Sequence, residues 1–437
     1  MDDVRPPQST ALPGAGRALA LLLAINLFNY IDRQVLAAVE PVLSKEFRLT
    51  ETQAGSLASA FLYAYMVGAP IFGRLATKWS RWWLVGACIA AWSFASGATG
   101  LATTFGALVL TRICVGIGEA GYGPSAPALL SDYYSVEKRG KVLALFYLAI
   151  PVGSALGYVY GGKIAALLGW RWAFWLVLPP GLVLAWLCFR MKEPPRPVTA
   201  AAAASSGSFR RDALALLRIP SYVFNTLAMT AMTFAIGGIS FWIPKFMTGR
   251  LAVVRGLDPL HLSDQIQREI LDSVNTTFGL IVVVAGIAST LLGSWTAEKL
   301  RHRFRGAYFL TSGVAILFAF PATLAMLRLP FPWAWVAVFF AVFFLFFNTG
   351  PANTALANVT ASPVRATAFA LNIFMIHALG DAISPPLIGW IAQETKSMNT
   401  AFGLVSVMMV VASVFWLLGA RYLGRDTEAA EKMTIAL

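Results

Sequence analysis

At 437 residues, 58% hydrophobic and only 13% charged, with a mean hydropathy of +0.67, the chain is too apolar for a soluble protein of its length and reads as an integral membrane protein. The net charge of +13 does not point to nucleic acid, because the basic residues gather in short loops between apolar spans, as membrane topology requires. Cys88, Cys114 and Cys188 lie far apart within apolar stretches, which excludes a disulfide framework and a cysteine-based metal site.

A helix that crosses a bilayer needs about 20 apolar residues. Twelve such spans are predicted, near 17–40, 54–77, 82–102, 105–131, 139–166 and 171–191, then near 220–248, 272–298, 306–328, 331–358, 364–393 and 399–424. The tail 1–16 is polar and proline-rich and lacks the basic start and short apolar core of a signal peptide, so the first span is read as a retained helix. Residues 17–191 form a first lobe and 220–424 a second. The connector 192–219 opens on KEPPRPV and an Ala/Ser run, a flexible linker. It closes on SFRRDALALLRIP, where Phe209, Ala213, Leu216 and Leu217 share one face of a short amphipathic helix. With the N-terminus inside, Lys and Arg favour the inner segments by roughly two to one, which predicts cytoplasmic tails at both ends, 1–16 and 425–437.

The fourth span carries RICVGIGEAGYGPSAPALLSDYY, from Arg112 to Tyr134. Ionisable groups at membrane depth are costly and mark a cavity or a partner. Arg112 and Glu119, seven residues apart, fall on one stripe of a helix, about 10 Å from each other. Gly116, Gly118, Gly121 and Gly123 thin that helix for close packing, and Pro124 and Pro127 loosen its end. In the first span Asp32 and Arg33 are adjacent, so they point about 100° apart and do not share a partner.

The two sets of six repeat each other. Gly123-Pro124 in span 4 is followed by Arg139, and Gly350-Pro351 in span 10 by Arg365; Gly153 and Gly162 in span 5 align with Gly380 and Gly389 in span 11. A duplicated six-helix unit is the plan of a two-lobed transporter with its site at the midplane between lobes. Gly153, Gly157 and Gly161 on span 5 and Gly279, Gly286 and Gly293 on span 8 are expected to pack across that interface. A membrane enzyme is disfavoured by three scattered histidines, His261, His302 and His377, and by the lack of a P-loop. A channel or receptor is disfavoured by the duplication and by the span-4 glutamate.

These motifs resemble the major facilitator superfamily. The loop GRLATKWSRW keeps Gly73, Lys78 and Arg81 of its gating motif, with Thr77 in place of the aspartate, and the repeat SWTAEKLRHR keeps Glu298 and Lys299. Arg112 to Glu119 resembles the proton-transfer motif. Gly153, Gly157, Gly161 and Gly162 resemble the glycine motif of exporters, with Tyr158 where those carry proline. Within the superfamily, NYIDRQVLAAV, TETQAGSLASAF and GEAGYGPSAPALLSDYY followed by EKRGK resemble the Spinster group of lysolipid and sphingosine-phosphate transporters. The resemblance implies an all-α membrane protein with twelve transmembrane helices in two pseudo-symmetric lobes, in a bacterial-type inner (plasma) membrane. It implies no cofactor besides the coupling proton, a small amphipathic substrate and membrane lipid as partners, no nucleic acid, and a monomer.

On this reading Asp32, Glu119 and Asp381 exchange protons, while Arg33, Arg112 and His377 are their charge partners and hold the head group. Burial disfavours a carboxylate and a nearby arginine restores it, so a moving arginine switches proton affinity. Tyr30, Phe61, Tyr65, Tyr122, Phe146, Tyr147, Phe241 and Trp242, with Asn348 and Asn372, are the candidates for the cavity wall. The cargo is an amphipathic anionic or zwitterionic lipid, or else a small organic anion or drug.

Overall fold

The structure, a computed structural model, describes residues 12–134, 136–194, 209–361 and 364–435. The N-terminal residues 1–11 and most of the expected flexible linker, 195–208, lie outside the described residues. The described chain is helical throughout. Spans 1 to 3 are single helices, α1 (Ala15–Phe47), α2 (Glu51–Lys78) and α3 (Arg81–Thr99); span 4 is broken into α4 (Phe105–Glu119) and α5 (Tyr122–Tyr133). Span 5 is α6 (Val136–Leu167), and span 6 is broken into α7 (Trp170–Trp175) and α8 (Leu178–Phe189). After the linker helix α9 (Phe209–Leu216) come α10 (Pro220–Val254), α11 (Asp264–Arg301) and α12 (Ala307–Arg328). Span 10 is α13 (Trp333–Phe346) plus α14 (Thr349–Asn358). Span 11 is α15 (Arg365–Ile376), a π-turn (His377–Asp381) and α16 (Ser384–Thr395), and α17 (Met398–Ile435) completes the second lobe.

Eleven of these segments are long and apolar enough to cross a membrane. The twelfth, α3, is diluted by Trp82, Trp83, Trp92, Gly86 and Gly97, but packs against α4 and α8 inside the first lobe.

Proline places the breaks, because it has no N–H for the carbonyl four residues back. Pro124 and Pro127 follow the α4–α5 junction, Pro179 and Pro180 open α8, and Pro351 sits in the first turn of α14. In span 11, Pro386 leaves the Ala382 carbonyl without its helical donor, and the Ser59 hydroxyl of α2 donates to it from the other lobe. Pro385 contributes its own carbonyl to Trp242 Nε1 at 2.9 Å.

The lobes meet along two crossings, α6 with α11 and α2 with α16. At the second, Gly55 faces the Pro385 backbone so closely that a Cβ has no room. The glycine faces divide differently from the expectation that both cross the lobe interface. Gly153, Gly157 and Gly161 pack on α1 within their own lobe, against the backbone of Leu27, Ile31 and Val35, while Gly293 packs on Phe347 of span 10. Gly279 and Gly286 do cross between lobes, onto Ala155 and Pro151, and Gly162 receives Asn275. One glycine stripe thus serves α1, because that helix must come close enough to present its charges.

Away from the linker, ion pairs join the lobes. Lys45 reaches Asp264 at 2.6 Å, Lys163 reaches Asp272 at 3.3 Å, and Lys245 lies between Glu51 at 2.7 Å and the buried Glu40 at 3.3 Å. At the linker end, α17 runs on to Ile435 where a tail was expected from 425. The extension is anchored because Asp426 accepts from the Ser221 backbone N–H at 3.0 Å and hydroxyl at 2.7 Å, capping the start of α10. In α9, Leu216 is buried, whereas Phe209 and Leu217, expected on the same face, are exposed.

Candidate functional site

A cavity of about 270 Å³ lies between the lobes, lined from both. The first lobe brings its charges there on α1 and α4. α4 can sit against α2 because Gly116 leaves room for the Phe61 carbonyl. Glu119, the last residue of α4 and fully buried, accepts from Arg33 Nε at 2.7 Å, and its second oxygen, Oε1, has no hydrogen-bond partner. Arg112, two turns earlier on the same stripe, is 3% exposed; its Nη2 donates to Thr99 Oγ1 at 3.1 Å, its guanidinium lies over Phe174, and its Nε is unpartnered. Both residues line the cavity. Asp32 turns the other way, as its 100° offset from Arg33 requires, and takes the Ser96 hydroxyl at 2.5 and 2.7 Å in a pocket behind the cavity wall. The structure therefore brings Arg33, Arg112 and Glu119 to the cavity but leaves Asp32 one layer behind.

The second lobe contributes His377 and Asp381. The π-turn sets them on one face, with His377 Nδ1 3.0 Å from both carboxylate oxygens of Asp381, and both side chains line the cavity. A local π-turn often marks a functional position in a helix. Here it is held by Gly380, which packs on the Thr230 carbonyl.

Of the other candidates, Tyr30, Phe61 and Phe241 line the cavity. Tyr65 stands behind, against Arg33 and edge-on to His377. The remaining six lie outside the wall. Tyr122 is buried and donates to the Leu22 carbonyl at 3.1 Å, Phe146 packs between Tyr122 and the half-exposed Tyr147, and Trp242 is spent on Pro385. Asn348 donates to the Leu345 carbonyl at 2.7 Å and Asn372 to Thr226 at 3.0 Å. Sequence reasoning missed Gln34, Ser154 and the cross-lobe bond from the Tyr158 hydroxyl to the Ser240 carbonyl at 2.5 Å. The tyrosine in the glycine motif was the available signal.

The two loops expected to gate differ between lobes. Arg81 binds Asp132 at 2.5 Å and Glu193 at 2.8 Å, and Glu193 also accepts from Ser80 at 2.9 Å, so this network stands although Thr77 replaces the motif's aspartate. Burial pushes the Glu193 carboxyl up, but the bonds from Arg81 and Ser80 outweigh it and hold the acid below its ordinary value. Gly73 faces open space and Lys78 is exposed. In the second lobe Glu298 pairs with Arg301 at 2.6 Å and accepts from Tyr308, while Lys299 covers Trp295. Among the described residues no cluster of His, Cys, Asp or Glu is placed to hold a metal ion.

A buried charge stripe facing an apolar, two-lobed cavity is what a secondary transporter presents at its midplane, and the family model described as Major Facilitator Superfamily matches residues 22–381. The chain belongs to the major facilitator superfamily. Within it the protein groups with Spinster transporters. It is 33% identical to protein spinster homolog 3 of Danio rerio over 99% of this chain and 90% of that protein. To the sphingosine-1-phosphate transporter SPNS2 of Xenopus tropicalis it is 30% identical, over 98% and 86%. Among solved structures, a bacterial homolog of the human lysosomal transporter Spinster, inward-facing and unoccupied, superposes with a TM-score of 0.76 at 21% identity over 97% of this chain and 99% of that one. The fold is thus the superfamily's twelve-helix, two-lobed fold, and the protein is a multi-pass membrane transporter of the Spinster type rather than an enzyme.

Proposed function

We propose that this Spinster-type protein is a proton-coupled transporter that moves an amphipathic lipid with a phosphate-bearing head group by alternating access, with both termini cytoplasmic. The observation that carries the reading is the pair of unpartnered polar atoms, Glu119 Oε1 and Arg112 Nε, on one stripe of α4 at the wall of an otherwise largely apolar cavity. Buried polar atoms without partners are expensive, and a cargo or a proton that completes them in part of the cycle repays that cost. Arginine stays charged and its fork suits phosphate. The name of the Xenopus relative, a sphingosine-1-phosphate transporter, supplies a cargo of that chemistry.

The cycle follows from the Arg33–Glu119 pair. In this structure the guanidinium lies against Glu119 at 2.7 Å and supplies its counter-charge. When Arg33 turns to a phosphate in the cavity, the buried Glu119 loses its cation, and a proton or a positive group of the cargo must take that place. Asp32, one layer back, and Asp381, on the opposite lobe, are the further proton-exchanging groups, with His377 as partner to Asp381. Rocking about the α6–α11 and α2–α16 crossings moves the site from one face of the membrane to the other.

The test is uptake into proteoliposomes across a cargo panel of lysophospholipids, sphingosine-1-phosphate and small organic anions, with and without a pH gradient. Gradient-driven accumulation of the lipids that disappears in Glu119→Gln and Asp32→Asn supports the reading. Full proton dependence in both variants, or accumulation of the small anions alone, overturns it.

A further inference from the structure

Arg33 lies in an aromatic box. Its guanidinium carbon is 5.2 Å from the ring centre of Tyr30, 4.9 Å from that of Phe61 and 5.4 Å from that of Tyr65, with Glu119 against its Nε. Three rings around one cation, with a carboxylate at the side, is the arrangement by which proteins recognise organic ammonium groups. Two of the rings are braced by packing, whereas the cation reaches the cavity. Phe61 is buried and stacked on Tyr65, and Tyr65 is braced by His377. Arg33 stands on a flexible stem, is 20% exposed and lines the cavity.

A charge balance then separates two kinds of head group. A phosphate alone draws Arg33 out of the box and leaves Glu119 buried without a cation, a costly arrangement. A head group that carries both a phosphate and an ammonium can exchange places with Arg33. The ammonium enters the box beside Glu119, and the guanidinium takes the phosphate through charge-assisted hydrogen bonds. The count of charges around Glu119 is unchanged.

We propose that Tyr30, Phe61 and Tyr65 form a cation site that Arg33 fills in this structure and that the ammonium group of the cargo fills in its place. The proposal rests on the lipid reading above and adds the part of the site that selects zwitterionic over purely anionic head groups.

The test compares equilibrium binding of dodecylphosphocholine and dodecyl phosphate to the full-length protein in a maltoside detergent, without a gradient. The two probes share a chain and differ by the choline. The expected result is a preference for the choline-bearing probe that falls about tenfold in Phe61→Leu and Tyr65→Leu and is kept in Tyr65→Phe, because the box needs the ring rather than the hydroxyl. In Arg33→Gln, which empties the box but also removes the phosphate's partner, dodecyl phosphate binding weakens more than dodecylphosphocholine binding. Because each preference is a ratio on one sample, a general loss of folded protein does not imitate it. Equal binding of the two probes to the unmodified protein, an unchanged ratio in both leucine variants, or a parallel loss of both probes in Arg33→Gln overturns the cation site while the lipid reading stands. Failure of both probes to bind overturns the two together.

Discussion

The two lobes share a helical plan and divide the polar work unequally. In the first, spans 1 and 4 carry Asp32, Arg33, Arg112 and Glu119, with Glu119 Oε1 and Arg112 Nε lacking partners. In the second, the equivalent spans 7 and 10 carry neutral Asn225 and Asn348, and Asn225 is engaged on the Ala352 carbonyl at 3.0 Å and on Trp416 at 2.8 Å. The cavity-lining charge of the second lobe sits instead on the π-turn of span 11, as a histidine–aspartate pair. The duplicated scaffold thus fixes where helices break, while the chemistry at each break is free to differ. One lobe keeps unfinished charge for the cavity and the other keeps a closed pair.

That contrast is sharpest at the two cavity acids. Glu119→Gln is expected to lower gradient-driven transport by about a hundredfold or more while exchange without a gradient persists. Next in size is the Lys245 contact away from the linker: Lys245→Ala leaves Glu40, 2% exposed, without its cation and is expected to weaken closure at that end by about 3 kcal/mol, read as faster labelling of cysteines introduced beside it. Gly55→Val forces a side chain into the Pro385 backbone and is expected to cost about 2 kcal/mol, seen as a lower unfolding temperature in detergent. Asp381→Asn is expected to reduce coupled transport only about tenfold, since both its oxygens already lie 3.0 Å from His377 Nδ1; a loss equal to that of Glu119→Gln would erase the distinction between lobes. The smallest effect is at the linker end. The Glu193 acid is lower in the folded protein than its ordinary 4.5, so its contribution is present above pH 4.5 and disappears as the pH falls through the lowered value. Being partly exposed, it amounts to less than about 1 kcal/mol, and thermal unfolding of Glu193→Gln should lose that acid dependence.

Spans, duplication and the cavity charges were legible because each leaves a local mark: apolar length, a repeated Gly-Pro, an ionisable residue in an apolar run. The partners were less so. That Arg33 rather than Arg112 takes Glu119, and that Ser96 takes Asp32, depends on which helices lie adjacent, which helical spacing along one span does not state. Aromatic residues misled for the same reason. Tyr122 and Trp242 read like Tyr30 and Phe61 in sequence, but carbonyls at Leu22 and Pro385 claim their polar atoms. Asp132 and Glu193 went unnoticed because they lie beyond the loop motif whose arginine they hold.

The carbonyl of Ala382, left without a helical donor by Pro386, borrows a hydroxyl from Ser59 on the opposite lobe. Parting the lobes there strands that oxygen unless a solvent molecule replaces the lost donor. Any opening along this seam therefore trades a bond between the lobes for a hydrated carbonyl one residue from Asp381, so the seam is wetted as it parts.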